Sequence, residues 1–174
     1  GPDETGAAGT DNGFTNLMAR RNLKIAADWG DRLRTQRPDA TDAVTPGETA
    51  AWRQAAERLH VPLVPDLDHD VPLQDENLLS KPPAPPEVMA FRDNPSAGEV
   101  PNTRSDYRVI KQADIVLAVL LLQDEFDLDT IAAAYDFYEP MTLHISSLSR
   151  NTHAIVAALL GRVDVAYDWF MGSA

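Results

Sequence analysis

Apolar side chains at Phe14, Leu17, Met18, Ile25, Trp29 and Leu33 recur mostly at spacings of four and seven residues, which is the period of one helical face. They follow residues 1–13, where four glycines and no apolar period predict a loop. Trp52, Ala55, Ala56 and Leu59 share a second face and predict a helix over residues 49–59. Between 60 and 101 the pattern breaks. That stretch holds most of the 13 prolines, including the run Lys81-Pro82-Pro83-Ala84-Pro85-Pro86, and no sustained period, so residues 61–106 read as a long irregular Pro-rich insertion.

Helical patterning returns at Tyr107. Residues 109–123 are polar only at Lys111, Gln112 and Asp114 before turning apolar all round, which predicts a helix buried on every side. Asp129 is the expected N-cap of a helix that reaches Tyr138 and stops at Pro140. Ser146, Ser147 and Ser149 open another that ends at Gly161, with Ser147 or Ser149 as an ordinary N-cap. Residues 164–170 begin a last one. No alternating strand pattern appears, so the class is all-α, and short connections between the last helices predict antiparallel neighbours, as in bundles and helical barrels.

Composition narrows the function. The 174 residues carry 15 basic and 27 acidic side chains, a formal charge of −12, so binding nucleic acid through its phosphates is disfavoured. With no cysteine there is neither a disulfide framework nor a thiolate metal site. The longest apolar run, 115–122, is far short of the roughly 20 residues a membrane span needs. A water-soluble, cytoplasmic protein is expected.

Three places have residues suited to chemistry. Asp3 and Glu4 sit in the glycine-rich loop ahead of the first helix. They read either as solvated charges near a helix N-terminus or, with Glu4 buried, as a general acid of the kind that protonates a departing sugar oxygen. Lys111 and Gln112 stand at the mouth of the apolar helix. Lys111 could pair with Asp114 three residues on, yet polar groups entering apolar surroundings need partners, and sugar hydroxyls would serve. In Thr142-Leu143-His144-Ile145-Ser146-Ser147-Leu148-Ser149, hydroxyls crowd a helix start where free N–H groups and the positive end of the dipole form an anion cradle, to which His144 could add charge. In a chain of net −12 a phosphate needs such a local concentration of donors. His60, His69 and His153 are too irregularly spaced to suggest a metal site. Tyr135, Phe137 and Tyr138 read as core.

Taken together, Gly1-Pro2-Asp3-Glu4 with Asp11-Asn12-Gly13-Phe14-Thr15-Asn16, Val109-Ile110-Lys111-Gln112-Ala113-Asp114, Asp124-Glu125-Phe126 and the block from Tyr138 to Ser149 resemble glycoside hydrolase family 65, the maltose, trehalose and kojibiose phosphorylases. The resemblance runs along nearly the whole chain and is weakest over 61–107. It implies the C-terminal part of a catalytic (α/α)6 barrel of the six-hairpin glycosidase type, in a family whose whole enzyme is several times longer. The start just ahead of the acid motif implies a split or truncated frame, or a fragment. The missing N-terminal half of the barrel is then an expected partner, apolar surface should be left open, and a homodimer is a further expectation.

For mechanism the resemblance implies Glu4 as general acid, Lys111 and Gln112 holding the glucose, and His144, Ser146 and Ser147 binding phosphate, which is a co-substrate; no cofactor is implied. The reaction would be inverting phosphorolysis of an α-glucosyl disaccharide to β-glucose 1-phosphate and a free sugar. Thr5-Gly6, Ile145 and Arg150-Asn151 depart from the family pattern. Two alternatives stay open: a trehalose-type hydrolase of the same family, and a non-catalytic helical protein completed by a partner.

Overall fold

The computed structural model of this chain describes residues 11–39, 44–92 and 106–173. Regular structure there is helical: α1 Gly13–Gln36, α2 Pro46–Arg58, α3 Pro86–Met89, α4 Asp114–Leu121, α5 Leu128–Tyr138, α6 Ser147–Leu159 and α7 Val163–Met171, with short 3-10 turns at Leu78–Ser80, Ala90–Arg92 and Glu139–Met141. Extended pairing among the described residues is limited to isolated bridges, Leu63 with Pro72, Pro83 with Arg108 and Ile110 with Thr142. The all-α expectation holds.

The chain divides into two compact units, one made of Thr15–Val61 and the other of Pro62–Ala174 with the chain start through Phe14. Within the first, α1 and α2 form an antiparallel pair. Arg20 and Asn16 near the start of α1 donate to the carbonyls of Leu59 and His60 beyond the end of α2, at 2.9 and 2.6 Å. At the other end, Arg53 joins Asp28 and Asp31, and Thr49 donates to Asp31 at 3.0 Å. The start of α2 is earlier than its apolar face predicts. Thr45 accepts from the Glu48 amide and Glu48 accepts from the Thr45 amide, a reciprocal capping box, with Pro46 in the first turn.

In the second unit, α4 is shorter than the helix that the pattern over 109–123 predicts. Ile110 is held extended by two hydrogen bonds across its bridge to Thr142, from the Ile110 amide to Met141 O at 3.0 Å and from the Leu143 amide to Ile110 O at 2.8 Å. The helix therefore starts only at Asp114, whose amide is capped by the side-chain carbonyl of Gln74, 3.1 Å away. Lys111 and Gln112 thus lie in the turn before α4, which removes the intrahelical Lys111–Asp114 pair as a reading. Ile115, Val116, Ala118 and Val119 are fully buried, but Leu121 is 57% exposed, so one edge of α4 faces out.

Helix α5 is capped by Asp127, not Asp129: the Asp127 carboxylate accepts from the Thr130 amide at 2.7 Å, which holds its pKa below the usual range. Helices α6 and α7 form a tight hairpin whose connection turns at Gly161, with φ of +73°, a conformation glycine adopts without penalty. On α7, Val163, Tyr167 and Phe170 are each more than half exposed, and on α1 so is Trp29.

The core of this unit is tied by polar groups as well as apolar ones. Tyr138, fully buried, donates to Pro72 O at 2.8 Å and accepts from the Gln74 amide at 2.9 Å. The Gln74 carbonyl accepts from the Gly13 amide. A Cβ on Gly13 would lie 2.2 Å from Leu73 O, so only glycine fits there. Replacing Tyr138 by Phe leaves the Gln74 amide and Pro72 carbonyl buried without their partner. The expected loss is about 1–3 kcal/mol of unfolding free energy, read by denaturant titration.

Candidate functional site

The Ile110–Thr142 bridge also assembles the site. It lays the turn carrying Lys111 and Gln112 alongside the strand-like approach to His144 and the start of α6. Lys111 is half-buried and Gln112 is buried. Gln112 lines a small pocket with Asp114, Leu148, Ser149, Thr152 and His153, so the second-unit elements α4 and α6 meet at this point. Two of the predicted clusters, separated by about thirty positions in sequence, are therefore neighbours. The third is not visible: Glu4 lies outside the described residues.

The turn into α6 differs in detail from its sequence reading. Ser146 is the N-cap residue, with an extended backbone, but its side chain makes no capping bond, so neither Ser147 nor Ser149 is the ordinary cap. Ser147 is the first residue of the helix. Ser149 is buried, and its hydroxyl lies 3.0 Å from Nδ1 of His144. First-turn amides of a helix have no intrahelical acceptors. The Ser146 hydroxyl makes no capping bond to them, and the Ser149 amide donates back to the Ser146 carbonyl at 3.0 Å.

His144 is the largest departure. Its backbone is left-handed, with φ of +52°, and its ring is buried in an aromatic cluster, 4.2 Å from Trp169 and 4.4 Å edge-on from His153 between centroids. Trp169 donates in turn to the Tyr135 hydroxyl at 2.9 Å. Burial, then the positive field of His153, Arg92 and Arg150, pushes the His144 pKa down to about 2. The expectation that His144 adds a positive charge to the cradle is therefore corrected: the imidazole is neutral. His153, likewise buried, is pushed down to about 4, chiefly by desolvation. It donates from Nδ1 to the Ser149 carbonyl at 2.8 Å.

A larger open cleft, of about 430 Å³, is lined by Arg92, Glu139, Arg150, Val165, Asp168 and Trp169 and by none of the predicted site residues. Its arginines are already engaged: Arg92 pairs with the Glu139 carboxylate and donates to the Glu139 carbonyl, and Arg150 donates to the carbonyls of His144 and Gly172.

The pattern of the glycosyl hydrolase family 65 central catalytic domain matches residues 1–174. The chain belongs to that family. It is 37% identical over 186 residues to an α,α-trehalose phosphorylase of Geobacillus stearothermophilus, covering 100% of this chain and 23% of the relative. A kojibiose phosphorylase of Caldanaerobacter subterraneus subsp. tengcongensis is 32% identical over 182 residues, again 100% of this chain and 23% of the relative. Among solved structures, a human-microbiome protein assigned provisionally to the kojibiose phosphorylases superposes with a TM-score of 0.76 at 24% identity, over 98% of this chain and 24% of that one. The family 65 chain thus has the fold of part of an (α/α)6 barrel, and it spans about a quarter of the length of these relatives.

Arg150 has a structural role, because its guanidinium ties the His144 carbonyl to the end of α7. Sequence reasoning misses His153 and Trp169. The spacing Ser149 to His153, four residues on a helix, is a usable signal, because it places an imidazole over the serine carbonyl of the preceding turn. Trp169 offers none, since it arrives from the next helix.

Both buried imidazoles are held neutral in the folded family 65 chain, whereas an unfolded histidine titrates near 6.5. The unfolded chain binds more protons below that pH, so the stability due to these two groups is complete above about 6.5 and is lost as pH falls toward the folded value of about 4 for His153 and beyond it for His144. Unfolding free energy should fall between pH 6.5 and 5, before most carboxylates titrate. The double variant His144→Gln, His153→Gln should show a flatter profile there by denaturant titration; an unchanged slope would contradict the assignment.

Proposed function

We propose that this chain supplies the glucose- and phosphate-handling part of an inverting family 65 disaccharide phosphorylase. The observation that supports this most is the bridge-held adjacency of the Lys111–Gln112 turn and the hydroxyl-rich start of α6. A transferred glucose needs hydrogen-bonding groups on one side and an anion site within bonding distance of its anomeric carbon. The names of the relatives, trehalose and kojibiose phosphorylases, favour the same reaction.

In this reading Glu4 donates its proton to the glycosidic oxygen as the bond from that oxygen to the anomeric carbon breaks. A phosphate oxygen supplies the electron pair of the new bond on the opposite face. Inversion converts an α-glucoside into β-glucose 1-phosphate, and the leaving sugar departs with the proton as a free hydroxyl. An inverting hydrolase needs a second carboxylate to activate water. Phosphate is already anionic at neutral pH, so a cradle of donors takes the place of a base. Lys111 and Gln112 fix the glucose, while the α6 N-terminus with Ser146 and Ser147 fixes the phosphate and His144 lies beneath them as a neutral imidazole. Holding the nucleophile in line supplies part of the rate, since effective molarities of well-placed groups reach about 10⁵ M or more. A charged sugar phosphate is retained by membranes, which suits a cytoplasmic enzyme, and no helix among the described residues is long and apolar enough to cross one.

The test supplies the chain, with any upstream-encoded portion of its polypeptide, with phosphate and maltose, trehalose, kojibiose or nigerose. β-Glucose 1-phosphate should form from one of them. Glucose released equally fast with and without phosphate would mean hydrolysis and end the proposal. In the active protein, Glu4→Gln should lower turnover by about 10²-fold or more, because an amide cannot donate the proton. Ser147→Ala should raise the KM for phosphate well above any change in the KM for the disaccharide; equal changes would remove the cradle assignment.

A further inference from the structure

The hydroxyl of Ser149 has one hydrogen-bond partner among the described residues, Nδ1 of His144 at 3.0 Å. Ser149 is 2% exposed and His144 1%, so both groups of the pair are withdrawn from bulk solvent. Two arrangements of protons satisfy that distance. If His144 carries its proton on Nδ1 and donates, the serine O–H is left without an acceptor among the described residues, and the bare Nε2, which has no partner among them either, is a second loss. If instead the serine donates to a bare Nδ1, the hydroxyl is satisfied and only the Nε2–H stays unpaired. Unmet buried donors are costly, so the second arrangement is favoured.

His153 supports the same assignment. Its Nδ1 lies 2.8 Å from the Ser149 carbonyl, which can only accept, so His153 must be protonated there. Ser149 therefore fixes the tautomers of two imidazoles at once, through its hydroxyl and through its carbonyl, and the two rings pack edge to face at 4.4 Å. Neutrality makes this a tautomer question and not a charge question. The groups facing His144 are Arg92 from the turn after α3, Arg150 and His153 from α6 and the Trp169 ring from α7, and the cations among them oppose an imidazolium.

We propose that Ser149 is a positioning residue for the anion-binding turn: its hydroxyl donates to Nδ1 of His144, locks the ring with its proton on Nε2, and so holds the left-handed His144 and the two serines that follow it in the geometry that receives phosphate. This deepens the phosphorylase reading and rests on it for the role of the turn, although the hydrogen-bond assignment stands without it. Ser149 does not touch substrate. It acts through His144, two residues before the N-cap of α6.

Selective 15N labelling of the four histidines and two-bond proton–nitrogen spectra of the protein test the assignment directly. His144 should show a bare Nδ1 and a protonated Nε2, unchanged from pH 8 to pH 5.5; a protonated Nδ1 at His144 overturns the proposal whatever the activity. Kinetics test its consequence. Ser149→Ala should raise the KM for phosphate by about tenfold with little change in the KM for the disaccharide, and Ser149→Thr, which restores the hydroxyl, should recover most of that loss. Equal effects on both substrates would mean a merely structural serine and would also overturn it. Failure of the functional reading is separately recognisable, since a wild-type protein whose rate ignores phosphate would still give the His144 spectrum.

Discussion

The phenol of Tyr138 is the point on which the larger unit closes. It is fully buried, donates to Pro72 O and accepts from the Gln74 amide, while Gln74 uses its carbonyl for Gly13 and its side chain for the first amide of α4. One residue of the Pro-rich stretch thereby meets the start of α1, the start of α4 and the end of α5. Residues 71–74 meet part of their backbone need inside the irregular stretch, where Val64 donates to the Val71 carbonyl and Leu73 to the Pro62 carbonyl, and the outside partners take up the Pro72 and Gln74 groups that remain. Burial also pushes the Tyr138 hydroxyl's pKa upward, which keeps it a donor over any ordinary pH.

That constraint reaches the site through α4. Because Gln74 caps Asp114, the helix cannot extend backward through Gln112 and Lys111, and those two residues stay in a turn. Because Ile110 is bridged to Thr142, the turn is pinned beside the approach to α6. The packing that stabilises the unit and the packing that juxtaposes the two polar clusters are one set of hydrogen bonds, so the site needs no separate scaffold.

Helix identity is legible in the sequence wherever the apolar period is long, as in α1 and in the apolar run of α4. The capping box at Thr45 and Glu48 is equally legible and sits ahead of the apolar face that marks α2. What cannot be read is tertiary capping: nothing near Asp114 reveals that its amide meets a glutamine 40 positions earlier. The same blindness affects the serines. Ser147 and Ser149 fit an N-cap by type, but Ser149 is drawn to an imidazole that a left-handed backbone turns inward, and that backbone carries no sequence mark beyond the modest tolerance of histidine for positive φ. The residues of the candidate site are proposed from motif, while the state of one of them, neutral instead of charged, is set by burial that only the fold supplies.

If the α6 turn receives phosphate as proposed, neutrality at His144 decides what kind of anion site it makes. In a chain of formal charge −12, an imidazolium would be an obvious way to attract phosphate, but it would have to be formed in a desolvated position beside two guanidinium groups and a second imidazole. Forming that charge there is costly, whereas a helix terminus supplies dipoles that need no charge. Dipoles do not titrate. A cradle built from amides and hydroxyls over a neutral ring keeps the same donor pattern from mildly acidic to alkaline pH, and over that range the protonation of phosphate itself becomes the remaining variable. Such a site distinguishes an oxyanion that can accept several hydrogen bonds from water, which cannot fill all the donors at once, and that preference is the one a phosphorylase needs if water is not to compete for the same anomeric carbon.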